Sequence, residues 1–430
     1  MQYNILDFGA VSDGKTVNSA AVQSAIDSCS SAGGGAVIVP AGIFKIGTIW
    51  LKSRVELHLE RGAVLLASEN LEDYNADDAY PQNFSFPPEE WNFKHLILAI
   101  EVSQVSITGD GVIDGNCSAF FAEPVHWSDY QWRDGLALSK DKKLLRPGQL
   151  ISFIECNNIR IENITVRNST CWVCHFYGCE YVTTKGIKIF NPPNAANTDG
   201  IDIDASRFVT VSDCIIDTGD DAIAIRSCPH RLKNKNMTCE YVTVNNCVLS
   251  SSSAVFRVGV GTDCIKHIKI SNIVCKRGGT CIYMEPNHSS TSHTPLEDIT
   301  FSNISAYNVA FPIHFLESGG TSARFITIEN CRFSALAGID ITALTPGAVS
   351  DISLRNIDYI LPENSVELNE KNLAERGNTL IRCKGIERLT LDNITLFPDP
   401  NELAKWNQIY EETNCRNIKI RNSSFCDDKN

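Results

Sequence analysis

A five-residue motif that ends in Asn or Asp restricts this chain more than any other feature. Its nine copies are Ile159-Arg160-Ile161-Glu162-Asn163 and the equivalents ending at Asp213, Asn246, Asn272, Asn303, Asn330, Asn356, Asn393 and Asn422. Apolar residues alternate with polar ones, which is the period of a half-buried strand, and the closing Asn signals a turn. Most intervals between copies lie between 26 and 37 residues. A strand–turn unit repeated this often makes a solenoid, because each unit can bury its apolar face only against its neighbours. A leucine-rich repeat would need a fixed leucine ladder every 20 to 29 residues, and the chain has none. The reading is all-β: one right-handed parallel β-helix domain over residues 1–430, with no Gly-, Ser- or Pro-rich linker to split it. The repeated Asn is expected to stack in a ladder and to satisfy backbone groups at the bend. Several copies, such as Asn163, Asn303 and Asn393, also fall in N-x-Ser/Thr, but without a secretion signal glycosylation is discounted.

Ahead of the repeats, Ala21, Val22, Ala25, Ile26 and Cys29 stand at helical spacing, with Asn18 as the expected N-cap and Gly33-Gly34-Gly35 as the stop. This short helix is expected to cap the open end of the sheet stack, which otherwise presents unpaired strand groups. Short β-like runs follow at Val37–Val39, Ile49–Leu51, Val55–Leu59, Val64–Leu66, Val105–Ile107 and Val112–Ile113. Two irregular stretches, about 70–95 and about 116–148, are expected to flank a cleft.

The formal net charge of −13 disfavours nucleic acid or an anionic membrane as the main partner, and no apolar run is long enough to span a bilayer. A local basic patch could still receive an acidic sugar. The 17 cysteines lack disulfide-type or zinc-type spacing, so they are expected to be reduced and mostly buried. No signal peptide is visible after Met1, which points to the cytoplasm unless an export signal has been removed.

The residues suited to chemistry are Asp199, in Asn197-Thr198-Asp199-Gly200, and Asp220 with Asp221, in Gly219-Asp220-Asp221. Asp199 and Asp220 are 21 residues apart, close to one coil, so the three carboxylates should sit on neighbouring rungs of one face. Carboxylates that close cannot all ionise freely, and one pKa should rise. An acid of raised pKa beside ionised partners can hydrolyse a glycosidic bond. A single Asp beside Gly would be a turn residue; three together, one coil apart, point to a site. Asp202 and Asp204 alternate along the same strand and are weaker candidates.

These motifs resemble the polygalacturonase family of glycoside hydrolases, family 28. The similarity runs from Asp7-Phe8-Gly9-Ala10 through Arg146-Pro147, Asn168-Ser169 and Trp172-x-x-His175 to the two Asp motifs, and so covers nearly the whole chain. It implies a right-handed parallel β-helix and inverting hydrolysis of α-glycosidic bonds in pectin-derived oligosaccharides, without metal or cofactor. By the same resemblance Asp220 is the general acid, Asp199 and Asp221 activate water, and Asn197 fixes their arrangement. An intracellular enzyme would meet imported fragments, which favours exo action. The insertion 228–238, with His230, Arg231, Lys233 and Lys235, is either a solvated charged loop or, as in exo-acting members, a wall at one end of the cleft.

The sequence departs from the family in two places. Ser251–Gly259 lacks the usual Gly-His-Gly, and Cys281-Ile282-Tyr283 stands where Arg-Ile-Lys is expected to grip a uronate. Arg257 can restore part of that charge. His175, Arg257, Tyr283 and Glu285 are further substrate-binding candidates, and Trp132, with Trp91 and Trp127, is a candidate for stacking on sugar rings. Two rival readings remain: a polysaccharide lyase on the same fold, and a β-helix that binds carbohydrate without cleaving it.

Overall fold

A computed structural model describes residues 1–76, 79–82, 94–120, 146–289, 291–361, 379–398, 406 and 408–425. The chain is a parallel β-helix, as the repeats require. It divides into two compact units, Met1–Asp221 with Cys228–Met237, and Ala222–Ser227 with Thr238–Asn430.

In the first unit the coils that follow the N-terminal helix contribute strands to three parallel faces. The first face stacks Ile49–Leu51, Ile97–Ile100, Ile151–Ile154, Cys174–Tyr177 and Ile201–Asp204. The second runs from Gln2–Asn4 and Gly35–Val39 to Asn157–Glu162, Glu180–Lys185 and Arg207–Ser212. The third includes Gly42–Ile46, Ala63–Ala67, Val112–Asp114, Thr165–Arg167, Lys188–Phe190 and Ile215–Thr218. The register is regular, so each inward side chain sits on its counterpart one coil away. Phe153 stacks on Phe176 at 5.7 Å in this way, and both are fully buried. Adjacent coils are separated by the usual inter-strand spacing of about 4.8 Å.

The N-terminal helix spans Ser19–Ser31 and buries Val22, Ala25, Ile26 and Cys29, as its spacing predicts. Asn18 stands at the cap position but does not cap the helix. Its Oδ1 accepts from the Val11 amide at 2.6 Å, and its Nδ2 donates to the carbonyls of Thr16 and Val11, so it pins the preceding loop instead.

In the second unit the strands are longer than the motif suggests. Cys239–Ser251, Ile265–Met284, Leu296–Glu317 and Ala323–Ala335 run through the repeated Asn rather than ending at it. Asn246, Asn272, Asn303 and Asn330 each adopt φ between 54° and 56°, so the Asn is a left-handed corner within a continuous strand. Asn tolerates that region far better than branched residues do. The ladder exists, and its links are amide to amide: Asn303 Nδ2 donates to Asn272 Oδ1 at 3.2 Å, Asn356 to Asn330 at 2.8 Å and Asn393 to Asn356 at 3.0 Å. The coil holding Glu180–Lys185 escapes the motif because Gly186, at φ 65°, takes the corner that Asn163 and Asp213 take beside it. None of the described cysteines forms a disulfide; all are buried except Cys264 and Cys415, which are half-buried.

Candidate active site

The carboxylate cluster is built at the corner that leads into the first face of the first unit. One coil enters through residues 191–200 after Lys188–Phe190, and the next through the tight turn Gly219-Asp220-Asp221 after Ile215–Thr218. The two turns are bonded together: the Gly200 amide donates to the Asp221 carbonyl at 2.9 Å, and the Gly219 amide donates to Thr198 Oγ1 at 3.3 Å. Only glycine fits at 219, because a Cβ there would lie 2.1 Å from the Ala195 carbonyl oxygen. Asp199, Asp220 and Asp221 are all buried, and one oxygen from each lies within 4.8 Å of the others. The expected meeting of the three carboxylates is therefore observed.

Asn197 sits in the left-handed region at φ 56°. Its amide donates to Asp220 Oδ2 at 3.0 Å and its Nδ2 to the same oxygen at 3.4 Å. Asp220 Oδ1 accepts from the Asp221 amide at 3.0 Å, which fixes the carboxyl plane. Arg146 supports this corner from beneath. It is buried, and its guanidinium donates to the carbonyls of Thr170 (2.6 Å) and Ala196 (3.2 Å) and to Asn197 Oδ1 (3.2 Å). In the sequence Arg146 was only part of a motif; its positioning role is visible once residues 170 and 196 meet.

Burial pushes the Asp199 carboxyl well above the ordinary carboxylate range, and its neighbours Asp220, Asp202 and Asp221 push it the same way. Asp199 Oδ1 is buried without a hydrogen-bond partner, which also favours the neutral form. One pKa rises as expected, and the group concerned is Asp199, whereas the resemblance gives the acid role to Asp220. The three oxygens are also a hard donor set of the kind a divalent cation accepts.

Beside the cluster, Ser152, His175 and Asp202 stand in register on successive coils of the first face, with Tyr177 next to Asp204 two residues on. Asp202 is fully buried and adds to the field on Asp199. His175 is held by Trp172 edge-on at 5.3 Å and by Tyr177 stacked at 5.5 Å; its Nε2 is 3.9 Å from Asp204 Oδ2. Only 9% of it is exposed, so it lines the floor more than it projects.

The insertion after the second Asp motif is tied down at several points, while Arg231 and Lys233 to Asn236 stay exposed. The Cys228 amide donates to Asp204 Oδ1 at 2.7 Å, and Tyr177 Oη donates to the Cys228 carbonyl at 2.8 Å. Lys233 reaches Glu101 at 2.5 Å, and its amide donates to Glu155 at 2.8 Å. Leu232 and Met237 pack with Tyr80, Leu98, Ile154 and Tyr177. The strap thus covers the outer side of the first face over the coils that precede the cluster.

Arg257, Tyr283 and Glu285 belong to the second unit and form their own set. The Arg257 guanidinium lies 4.0 Å above the Tyr283 ring, and Tyr283 Oη donates to Glu285 Oε2 at 2.9 Å. His288 Nδ1 is 3.0 Å from the same oxygen. Burial raises the Glu285 carboxyl, but His288, Tyr283 and Arg257 outweigh it and hold the group below its ordinary value. The same outward column continues through His314, Asp340 and Arg382, which sequence reading missed. Their signal was available as the same position in successive coils. Trp91, Trp127 and Trp132 lie outside the described residues, as does much of the two irregular stretches.

A parallel β-helix that gathers three buried carboxylates at one corner has the equipment of a glycoside hydrolase. Residues 29–386 match the model of glycosyl hydrolases family 28, and the chain belongs to that family. A probable polygalacturonase of Vitis vinifera is 33% identical over 229 residues, 52% of this chain and 44% of its own. An exo-poly-alpha-D-galacturonosidase of Dickeya chrysanthemi is 32% identical over 51% of this chain and 41% of its own. The chain thus spans less than half the length of these two relatives. Among solved structures, the family 28 exopolygalacturonase of Yersinia enterocolitica aligns with a TM-score of 0.73 at 22% identity, covering 97% of this chain and 78% of its own, which shows the shared fold.

Proposed function

We propose that the chain is an exo-acting hydrolase that cleaves α-glycosidic bonds in galacturonan-type oligosaccharides with inversion at the anomeric carbon. The observation that carries this reading is the three-carboxylate cluster with its pKa-raised member, set in a family 28 β-helix. Asp199, whose carboxyl is pushed well above the ordinary range, serves as the proton store of the cluster. Asp220, with an oxygen within 4.8 Å, receives a proton from it through one water and then donates it to the departing glycosidic oxygen. Asp199, ionised by that transfer, joins Asp221 in holding the attacking water and takes back a proton as the water adds. Asn197 keeps Asp220 Oδ2 in place, and Arg146 keeps Asn197 in place.

Exo action is supported by the strap over residues 228–237, which is fastened beside the first face at Tyr177, Glu101 and Leu98, where a wall at one end of a cleft would stand. The names of the Dickeya and Yersinia proteins agree with it. A rhamnogalacturonan-type substrate is the second reading. It is favoured by Tyr283 at the place where the family's lysine would grip a uronate, with its hydroxyl already bonded to Glu285. Purified protein incubated with trigalacturonide and, separately, with rhamnogalacturonan oligosaccharides tests both. Stepwise release of single residues from the first set supports the main reading. Cleavage of the second set alone replaces it with the other, and an unsaturated ultraviolet-absorbing product would overturn hydrolysis altogether.

A further inference from the structure

We infer that Asp204 is a positioning residue for this hydrolysis: one buried carboxylate fastens the entry of the strap and orients His175, so the end wall and the floor of the cleft are set together. The inference deepens the exo reading and rests on it. Asp204 closes the strand Ile201–Asp204 and is 4% exposed. Its Oδ1 accepts from the Cys228 amide at 2.7 Å, and its Oδ2 lies 3.9 Å from His175 Nε2. Tyr177, its register partner one coil back, acts on the same two groups. Tyr177 Oη donates to the Cys228 carbonyl at 2.8 Å and accepts from the Arg231 amide at 3.3 Å. Its ring stacks on His175 with 15° between the planes. Three backbone groups at the start of the strap are thus satisfied by two side chains of the first face, and both of these side chains flank the imidazole.

Holding an amide does not by itself call for a charge. On neighbouring coils Ser206 Oγ accepts from the Cys179 amide at 2.8 Å, and Asn191 Oδ1 accepts from the Ser169 amide at 2.9 Å. A carboxylate costs more to bury than either of these groups. What the charge adds at position 204 is a pull on imidazoles. It acts on His175, and also on His230 of the strap, where it opposes the burial that lowers that group's pKa. Ala205 follows in the left-handed region at φ 46° and packs, fully buried, with Leu232 and Met237. Asp204 and Ala205 therefore receive the strap with a polar and an apolar contact side by side. The tip is held separately, by Glu101 and Glu155 on Lys233, so loss of Asp204 frees the entry and leaves the tip attached.

Two variants divide the tasks of the carboxylate. Asp204→Asn keeps an oxygen for the Cys228 amide and loses the charge beside His175, whereas Asp204→Ala loses both. Trypsin cleavage after the exposed Arg231, read by mass spectrometry on the native protein, reports on the strap without reference to activity. Asp204→Ala should be cut on the order of tenfold faster than the wild type, and Asp204→Asn at close to the wild-type rate. On trigalacturonide, KM should rise about fivefold or more in Asp204→Ala with a smaller fall in kcat, and longer galacturonan oligosaccharides should yield products of more than one residue. Asp204→Asn should restore single-residue release. Tyr177→Phe loses both Oη bonds but keeps the ring, so it should speed cleavage after Arg231 in the same direction and replaces Asp204→Ala if that variant fails to fold. Equal cleavage in variants and wild type, or a loss confined to kcat, overturns the positioning role. A wild type that releases longer products from the outset would instead sink the exo reading, and the trypsin comparison would still judge Asp204.

Discussion

Replacing Asp199 by Asn should stabilise the protein at neutral pH and should do so only there. Asp199 is buried, and one of its oxygens lies within 4.8 Å of oxygens of Asp220 and Asp221. At that distance, with an effective dielectric constant of 20, each ionised pair costs about 3 kcal/mol. The native state escapes part of this cost by keeping Asp199 protonated, which is why its carboxyl lies well above the ordinary range. The unfolded chain has no such need and releases the proton near pH 4. The penalty is therefore absent below about pH 4, grows as the pH rises toward the folded pKa, and is complete above it. Each pH unit between the two pKa values is worth about 1.4 kcal/mol. Asn carries no titrating proton, so Asp199→Asn should gain on the order of 1–3 kcal/mol at pH 7, with hydrolysis lost. Urea unfolding of both proteins at pH 4 and pH 7 measures the difference. A gain as large at pH 4 as at pH 7, or a loss at both, would refute the electrostatic account of the cluster.

The other expectations are local. Asp220→Asn should lower kcat by a factor on the order of 10³ and leave substrate binding within a few-fold, measured by turnover and by calorimetry. Gly219→Ala must move the Ala195 carbonyl, only 2.1 Å from the new Cβ, so the cluster should open: circular dichroism stays native-like, Tm falls by several degrees and activity is lost. His95 is buried with its ring nitrogens bonded to Tyr80 and to the Gln149 carbonyl, and burial lowers its pKa to about 4. Below pH 6.5 the unfolded state takes up a proton that the folded state refuses, so stability should fall between pH 6.5 and 4; in His95→Asn this limb should be flatter by about 1 kcal/mol per pH unit, read from denaturation midpoints. Replacing residues 230–236 by a short Gly-Ser linker should convert stepwise release of single residues into a mixture of longer products, resolved by anion-exchange chromatography.

The fold was legible because the solenoid writes its period into the sequence. Nine strand motifs closing on Asn announced the coils, and the amide ladder from Asn303 to Asn272 shows why that residue returns. Glu180–Lys185 went unread because Gly186 satisfies the same corner without the motif. The meeting of Asp199 with Asp220 and Asp221 followed from spacing alone. The partners of that cluster did not, since Arg146 reaches Thr170 and Ala196 across separations of 24 and 50 residues that no local pattern encodes. Nor could spacing say which carboxyl would be pushed upward. That depends on Asp199 being buried beside Asp202, a matter of packing in three dimensions. The strap gave a mixed signal: its lysines suggested a solvated loop, while Leu232 and Met237 fix it to the face.

The most direct test of the central claim follows the first product by proton NMR while trigalacturonide is being cleaved. A carboxylate spacing below 5 Å is where the nucleophile of a retaining glycosidase also sits, so stereochemistry decides how the third carboxylate is used. Water held by Asp199 and Asp221 predicts that the β-anomer appears first and mutarotates to α afterwards, with no signal in Asp220→Asn. Initial release of the α-anomer would mean a covalent intermediate on one of these carboxylates and would contradict the account.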